Sequence, residues 1–186
     1  MPLTPLHLGF SMPVFMTNKR KLHFLCLCLG SMIPDLEIIP MLPFSKDLLH
    51  ARGPMHSILG ALTFDILVVL FIVLFVAPPI GRWLKRHGKG KWCLFAGVDV
   101  TKAPTDLFWA LGSIVIGTVS HITMDMFTHK YNPIFWPNML GRNINWMFFG
   151  SRTTMYFIVA LPLFIIIIAM LWLYWTKPAK QGTKKV

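Results

Sequence analysis

The chain has 186 residues, enough for one domain, and 55% of them are hydrophobic while only 13% are charged; a soluble domain carries about a quarter charged residues. With a mean hydropathy of +0.61 it has too little polar surface to face water on every side, so a membrane is the expected solvent. The net charge of +11 does not mark a nucleic-acid binder, because lysines and arginines cluster at the ends of apolar runs, where positive charge sets orientation and meets anionic lipid.

In chain order, two short apolar segments come first, Pro5 to Met16 and Leu22 to Ile33, joined by "TNKRK". A helix of about twelve residues reaches ~18 Å, little more than half of the ~30 Å hydrocarbon core. They are therefore expected to form a short hairpin leaning on longer helices. Three runs approach the length of about twenty residues that spans a bilayer: Ser57 to Ala77, Leu107 to Met124 and Met155 to Trp175. The predicted class is all-α, a polytopic helical membrane protein with three long transmembrane helices plus the amino-terminal hairpin. Residues 1–176 make one helical membrane domain and residues 177–186 a basic tail. No small-residue cleavage site follows the "LHFLCLCLG" run and no Lys or Arg precedes Lys19, so the amino terminus is expected to be retained. Cys26, Cys28 and Cys93 have neither an even count nor CxxC spacing and read as small buried hydrophobes.

Charge orients the chain. If "NKRK" faces the cytoplasm and every segment crosses once, the loop "GRWLKRHGKGKW" and the tail "TKPAKQGTKK" fall on that side as well. Thirteen of the 18 Lys and Arg residues then lie inside, and Lys46, Arg52, Lys130, Arg142 and Arg152 outside. That bias predicts a multi-pass membrane protein with a cytoplasmic carboxyl terminus. The same arrangement delivers His7, Asp35, Glu37, Asp47, His50, His56, His121, Asp125 and His129 to the external end.

These residues carry the chemistry. In "SHITMDMFTH" the spacing of four stacks His121, Asp125 and His129 on one helical face, below Gly117 and Ser113. Its small half lets another helix approach closely. Its polar half is either a pair of ligands for zinc or a related divalent ion, or an interfacial His–Asp hydrogen bond without metal. In "HARGPMHS" the Gly-Pro pair makes a turn and Ser57 caps the long helix. His56 thus sits at a helix amino terminus, where the dipole disfavours imidazole protonation and leaves the ligand form. Arg52 is either a planar fork for a phosphate or carboxylate or a side chain snorkelling to headgroups. In "GSMIPDLE" Pro34 is expected to end the second helix and present Asp35 just beyond it. An acid there needs a partner or a metal. His7 is expected in the first turn of a helix capped by Thr4, near Asp35 if the hairpin forms. Asp65 follows His56 by nine residues, about half a turn around a continuous helix and ~13 Å deeper, so it is expected to stand apart from the cluster.

"MPLTPLHLG", "GSMIPDLE", "ARGPMHSILG" and "GTVSHITMDMFTH" together resemble the membrane-bound metal-dependent hydrolases, small prokaryotic inner-membrane proteins likened to zinc-dependent phospholipase C. The resemblance covers four stretches within the first 137 residues. It implies a divalent metal site, with zinc the expected ion, among His7, Asp35, His56, His121 and Asp125, and His129 as a possible addition. The chain departs from the pattern at Ala51, Arg52 and Met55, and His50 is offset by one residue, so no ligand role passes to it. The expected function is hydrolysis of a phosphoester or ester at the external face, with a membrane phospholipid as substrate. Asp35 is the expected general base and Arg52 the group that binds phosphate. The competing expectations are a non-enzymatic membrane protein held together by a His–Asp network and a small transporter that uses Asp65.

Overall fold

The structure is a computed structural model and describes residues 7–18, 21–44, 52–87, 103–129, 131–138 and 161–176. Helix α1 spans Leu8–Asn18 and α2 spans Phe24–Leu36; α2 continues through a short α3, Ile38–Met41, into a 3-10 turn at Leu42–Phe44. A second 3-10 turn, Pro54–His56, leads into α4, Ile58–Leu62, and α5, Phe64–Phe71. A π-helical turn at Ile72–Val76 joins α5 to α6, Ala77–His87. Helix α7 runs over Pro104–Thr128 and α8 over Leu161–Thr176. The chain is thus an all-α protein, and among the described residues three stretches are long and apolar enough to cross a membrane: Phe24–Phe44, Ile58–Leu84 and Pro104–Thr128.

The first of these differs from expectation. The hairpin forms, since α1 packs on α2, but its second arm is a spanning stretch of 21 residues. Pro34 does not end α2; it lies inside the helix, and Asp35 occupies the last helical turn. A proline removes one backbone bond, yet in a bilayer an unravelled backbone would find no water at all, so continuing the helix costs less. The expected run from Met155 begins among residues outside those described, and its described part is α8. Lys46, Asp47, His50, Cys93 and Thr4 also lie outside the described residues.

Helices α2 and α7 form the central pair, and they run parallel, as single crossings by every segment require. The backbone N–H of His23 donates to Ser113 Oγ at 2.9 Å, and His121 Nδ1 lies 2.9 Å from the carbonyl of Ser31. Between them an added Cβ at Gly117 would lie 2.5 Å from the carbonyl oxygen of Leu27, and one at Gly30 would lie 2.6 Å from that of Ile114. The two backbones touch because both positions are glycine, which is how small residues drive helix association without a hydrophobic force. Partners stay ninety positions apart along the seam, so one further turn sets Asp35 beside Asp125.

The apolar core lies on both flanks of this pair. Cys26, Ile33, Val69, Val73, Ala110 and Ile114 pack α2 and α7 against α5, and Met12, Phe15, Leu22 and Leu27 pack α1 against α2. Cys26 and Cys28 are free, buried thiols. Phe64, Leu67 and Phe71 of α5 and Leu161, Phe164, Ile165, Ile166 and Ile168 of α8 instead point away from the protein, the surface a lipid solvent requires.

Candidate metal centre

Four segments meet at the carboxyl-terminal end of α7, and each is held there by local chemistry. His7 is the residue just before α1. Asp35 arrives through the parallel register of α2 and α7. His56 ends the 3-10 turn ahead of α4, which Ser57 caps by accepting from the N–H of Gly60 at 2.9 Å. Ser57 Oγ also donates to the carbonyl of Pro54 at 2.5 Å, which ties that turn to the helix it precedes. His121 and Asp125 stand one turn apart on α7. The segment after α7 closes the end, since the carbonyl of Ile134 accepts from the N–H of Ile58 at 3.0 Å.

Three imidazole Nε2 atoms converge on two carboxylates. Asp35 Oδ1 lies 3.6 Å from both His56 Nε2 and His121 Nε2. Asp125 Oδ2 lies 3.4 Å from His121 Nε2 and 3.7 Å from His56 Nε2. His7 Nε2 lies 3.8 Å from Asp35 Oδ2 and from Asp125 Oδ1, and its ring stacks on that of His121 with centroids 3.8 Å apart. Two sets of donor atoms are close enough to share an ion, His7 with His121 and Asp125, and Asp35 with His56 and His121.

The far sides of two rings are anchored. His121 Nδ1 faces the carbonyl of Ser31, which requires that nitrogen to carry the proton and leaves Nε2 with its lone pair directed into the cluster. His56 Nδ1 lies 3.3 Å from Glu37 Oε2, which also accepts from the N–H of Met55 at 2.8 Å. This is the carboxylate–histidine arrangement that fixes tautomer and ring orientation at metal sites. A Cβ on Gly53 would collide with Glu37 Oε1, so the carboxylate fits only because position 53 is glycine. Pattern alone assigns Glu37 no role; its signal is the two-residue offset from Asp35, legible once the helix is seen to run past Pro34.

Every predicted site residue comes to this one place, but not in the same position. His7, Asp35, His56, His121 and Asp125 supply the convergent atoms. Arg52 reaches in from the loop before the 3-10 turn, with Nη1 2.7 Å from Asp125 Oδ2. His129 belongs to neither donor set; its Nδ1 lies 3.1 Å from Asp125 Oδ1 and 2.9 Å from Thr128 Oγ1, so it braces the aspartate. Asp65 departs from expectation. Thr63 leaves the helical conformation, with φ −126° and ψ −79°, which breaks the continuous helix on which the half-turn offset rests. The groups that act electrostatically on the Asp65 carboxyl are His121 and Glu37, and both of its oxygens are buried without a hydrogen-bond partner among the described residues.

The centre is dry. His56, His121 and Asp125 are fully buried and His7 nearly so. Burial, with His121 beside it, pushes His7 down to about 3, and burial also lowers His129 against the pull of Asp125. Both are thereby kept as neutral imidazoles, the form that binds metal. The Nε2 atoms of His7, His56 and His121 are buried with no hydrogen-bond partner among the described residues. Buried polar atoms left so cost about 1–3 kcal/mol each, a cost that a shared cation would remove. The donor set, imidazole nitrogen with carboxylate oxygen, fits zinc or a related divalent ion.

A family model described as a domain of unknown function, DUF4184, matches residues 1–186. The chain belongs to the DUF4184 family. The match takes in all four segments that build the cluster, and the family description assigns them no activity. No curated protein and no solved structure matches the chain.

Proposed function

We propose that this protein is a membrane-embedded hydrolase that uses a divalent ion, zinc by donor chemistry, to cleave a phosphoester or ester bond in a membrane lipid. The observation that carries the reading is the convergence on two carboxylates of three Nε2 atoms that make no hydrogen bond among the described residues, inside a bundle whose helices are long and apolar enough to cross a membrane. A purely structural His–Asp network would use those nitrogens for hydrogen bonds. The resemblance of "GTVSHITMDMFTH" and its companion stretches to membrane-bound metal-dependent hydrolases points the same way.

In this reading His7, His121 and Asp125, one convergent donor set, would hold the ion, with His56 drawn in from the set it forms with His121 and Asp35. Glu37 orients His56, and His129 orients Asp125. A bound divalent ion supplies Lewis acidity and a lowered pKa for water. Asp35, the most exposed carboxylate among the described residues of the centre, at 12%, takes the proton from the attacking water. The hydroxyl goes to phosphorus or to the ester carbon, the bond to the alcohol breaks, and the alcohol leaves with a proton. Arg52, whose Nη1 pairs with Asp125 at 2.7 Å, is the cation that a phosphate entering the centre would meet. The positive-inside bias puts the centre at the external face of the plasma membrane and the carboxyl terminus in the cytoplasm.

The test is metal analysis of the detergent-purified full-length protein beside His121→Ala and Asp125→Ala. Stoichiometric zinc or manganese in the wild type and none in either variant is the expected result. Well-folded wild type that takes up no metal, even after incubation with divalent ions, would overturn the reading in favour of a structural network.

A further inference from the structure

Access to the centre is the feature that the hydrolase reading leaves open. His7, His56, His121 and Asp125 are sealed, and Arg52 and Glu37 are buried. Among the described residues of the centre Asp35 is the most exposed, its side chain at 12%, and it lies within an apolar stretch, Phe24–Phe44, of mean hydropathy 1.7. About nine residues of that stretch follow it, ~13 Å of helix. Their apolar side chains turn outward: Leu36 beside Asp35, then Ile39 at 70% exposure, Leu42, and Phe44 at 87%. Ile58 at the start of α4 and Phe135 after α7 are exposed as well. Exposed apolar side chains in such number mark a surface that does not face water. In a protein whose helices are long and apolar enough to cross a bilayer, the exposed side of Asp35 is therefore bordered, among the described residues, by side chains suited to lipid.

Resting on the hydrolase reading, we infer that the centre is entered sideways from the bilayer beside Asp35 and Leu36, and that its ligand is a lipid carrying a phosphate. The acyl chain lies along the ridge from Leu36 to Phe44 and the phosphate reaches Arg52. Two features select that ligand. The ridge is continuous with the opening, so a chain lying on it delivers its head to Asp35. Arg52 is buried, with Nη1 paired to Asp125 at 2.7 Å and Nε making no hydrogen bond among the described residues, so Nε offers a phosphate oxygen a donor at the end of the path. A soluble phosphoester has no need of the ridge.

The experiment uses the full-length zinc-loaded protein in phosphatidylcholine vesicles doped with a phosphonate analogue of phosphatidic acid, which resists hydrolysis. A benzoylphenylalanine replaces either Ile39, on the ridge, or Phe71, which is exposed on α5 away from the centre. After irradiation, adducts are identified by mass spectrometry. The residue at position 39 is expected to capture the phosphonate lipid about tenfold above its share of the vesicle, the ratio that one charge-assisted hydrogen bond supplies. The residue at position 71 captures it at its share, and Arg52→Gln abolishes the enrichment at position 39. Capture at position 39 without headgroup preference, capture of a second copy of the chain, or loss of the enrichment to inorganic phosphate each overturns the inference. Zinc measured on the same vesicles separates the two levels. Zinc present without enrichment sinks lateral access alone, and zinc absent sinks the hydrolase reading with it.

Discussion

The seam between α2 and α7 has two halves built from the same helices and similarly buried, and they treat polar groups in opposite ways. In the first half, Ser113 Oγ donates to the carbonyl of Trp109 at 2.7 Å while accepting from His23. Ser11, Ser31 and Ser120 form a chain at 3.0 Å and 3.5 Å, and Ser120 bonds the carbonyl of Gly117 at 2.7 Å. None of these hydroxyls lacks a partner. One turn further along, His7, His56 and His121 each keep a buried Nε2 without a hydrogen bond among the described residues. Polar glue between membrane helices satisfies itself. A polar cluster that is equally buried and does not, among the described residues, is the arrangement that a bound ligand would complete. This contrast favours a ligand centre over a structural network more strongly than the residue types do.

The largest effect should come from breaking the contact that both halves depend on. Gly117→Leu pushes a side chain into the backbone of α2, where even a Cβ lies 2.5 Å from the carbonyl oxygen of Leu27. The cost exceeds the ~1–3 kcal/mol of ordinary overpacking, and neither backbone can yield without moving a spanning helix. Size-exclusion chromatography in detergent should show loss of the monodisperse protein, and metal content should fall with it. A folded Gly117→Leu protein with full metal would mean that the two halves do not share this seam.

A second substitution acts on the unsatisfied half alone. Glu37→Gln keeps the shape of the side chain that holds His56 but removes its charge. Loss of such an orienting carboxylate typically weakens metal binding 10–100-fold, and competition with a chelator on the purified protein measures it. The fold should be unaffected. An unchanged affinity would remove Glu37 from the centre and return it to a local role at the Met55 N–H. The matching substitution in the satisfied half is Ser113→Ala. It deletes one interhelical hydrogen bond, worth ~0.6 kcal/mol in a membrane, and should lower the thermal midpoint slightly while leaving metal content at the wild-type value. Loss of metal in Ser113→Ala would erase the distinction between the halves.

Much of this division is legible in the sequence. The four-residue spacing of Ser113, Gly117, His121 and Asp125 announces a small half and a polar half on one face, because helical geometry maps spacing to position without further information. His56 ahead of the Ser57 cap is legible for the same reason, since capping is a local event. What depends on other segments is not. The span that carries Asp35 looks too short until α2 is seen to run through Pro34, and that outcome is decided by the solvent rather than by proline's own preference. Glu37 gains its role from Gly53 and Met55, which lie across a loop. His129 has the right type and spacing for a ligand, yet it sits just past the last turn of α7, and its ring meets Asp125 instead.

Asp65 is where the contrast between the halves is least settled and therefore most useful to test. It lies inside the span Ile58–Leu84, on a helix that packs against α2 and α7, and both carboxylate oxygens are buried without a hydrogen bond among the described residues. By that measure it belongs with the centre. By composition it does not, because neither convergent donor set includes it, and its link to His121 and Glu37 is electrostatic only. If the centre is complete without it, Asp65→Asn binds zinc at the wild-type stoichiometry and hydrolyses lipid at the wild-type rate. If the protein is instead a transporter, the same variant keeps its zinc but loses cation flux in vesicles. Loss of zinc would be the third result, and it would extend the centre one helix deeper into the membrane. Metal analysis and a flux assay on one preparation separate the three, and only the first leaves the unsatisfied half of the α2–α7 seam as the whole of the functional site.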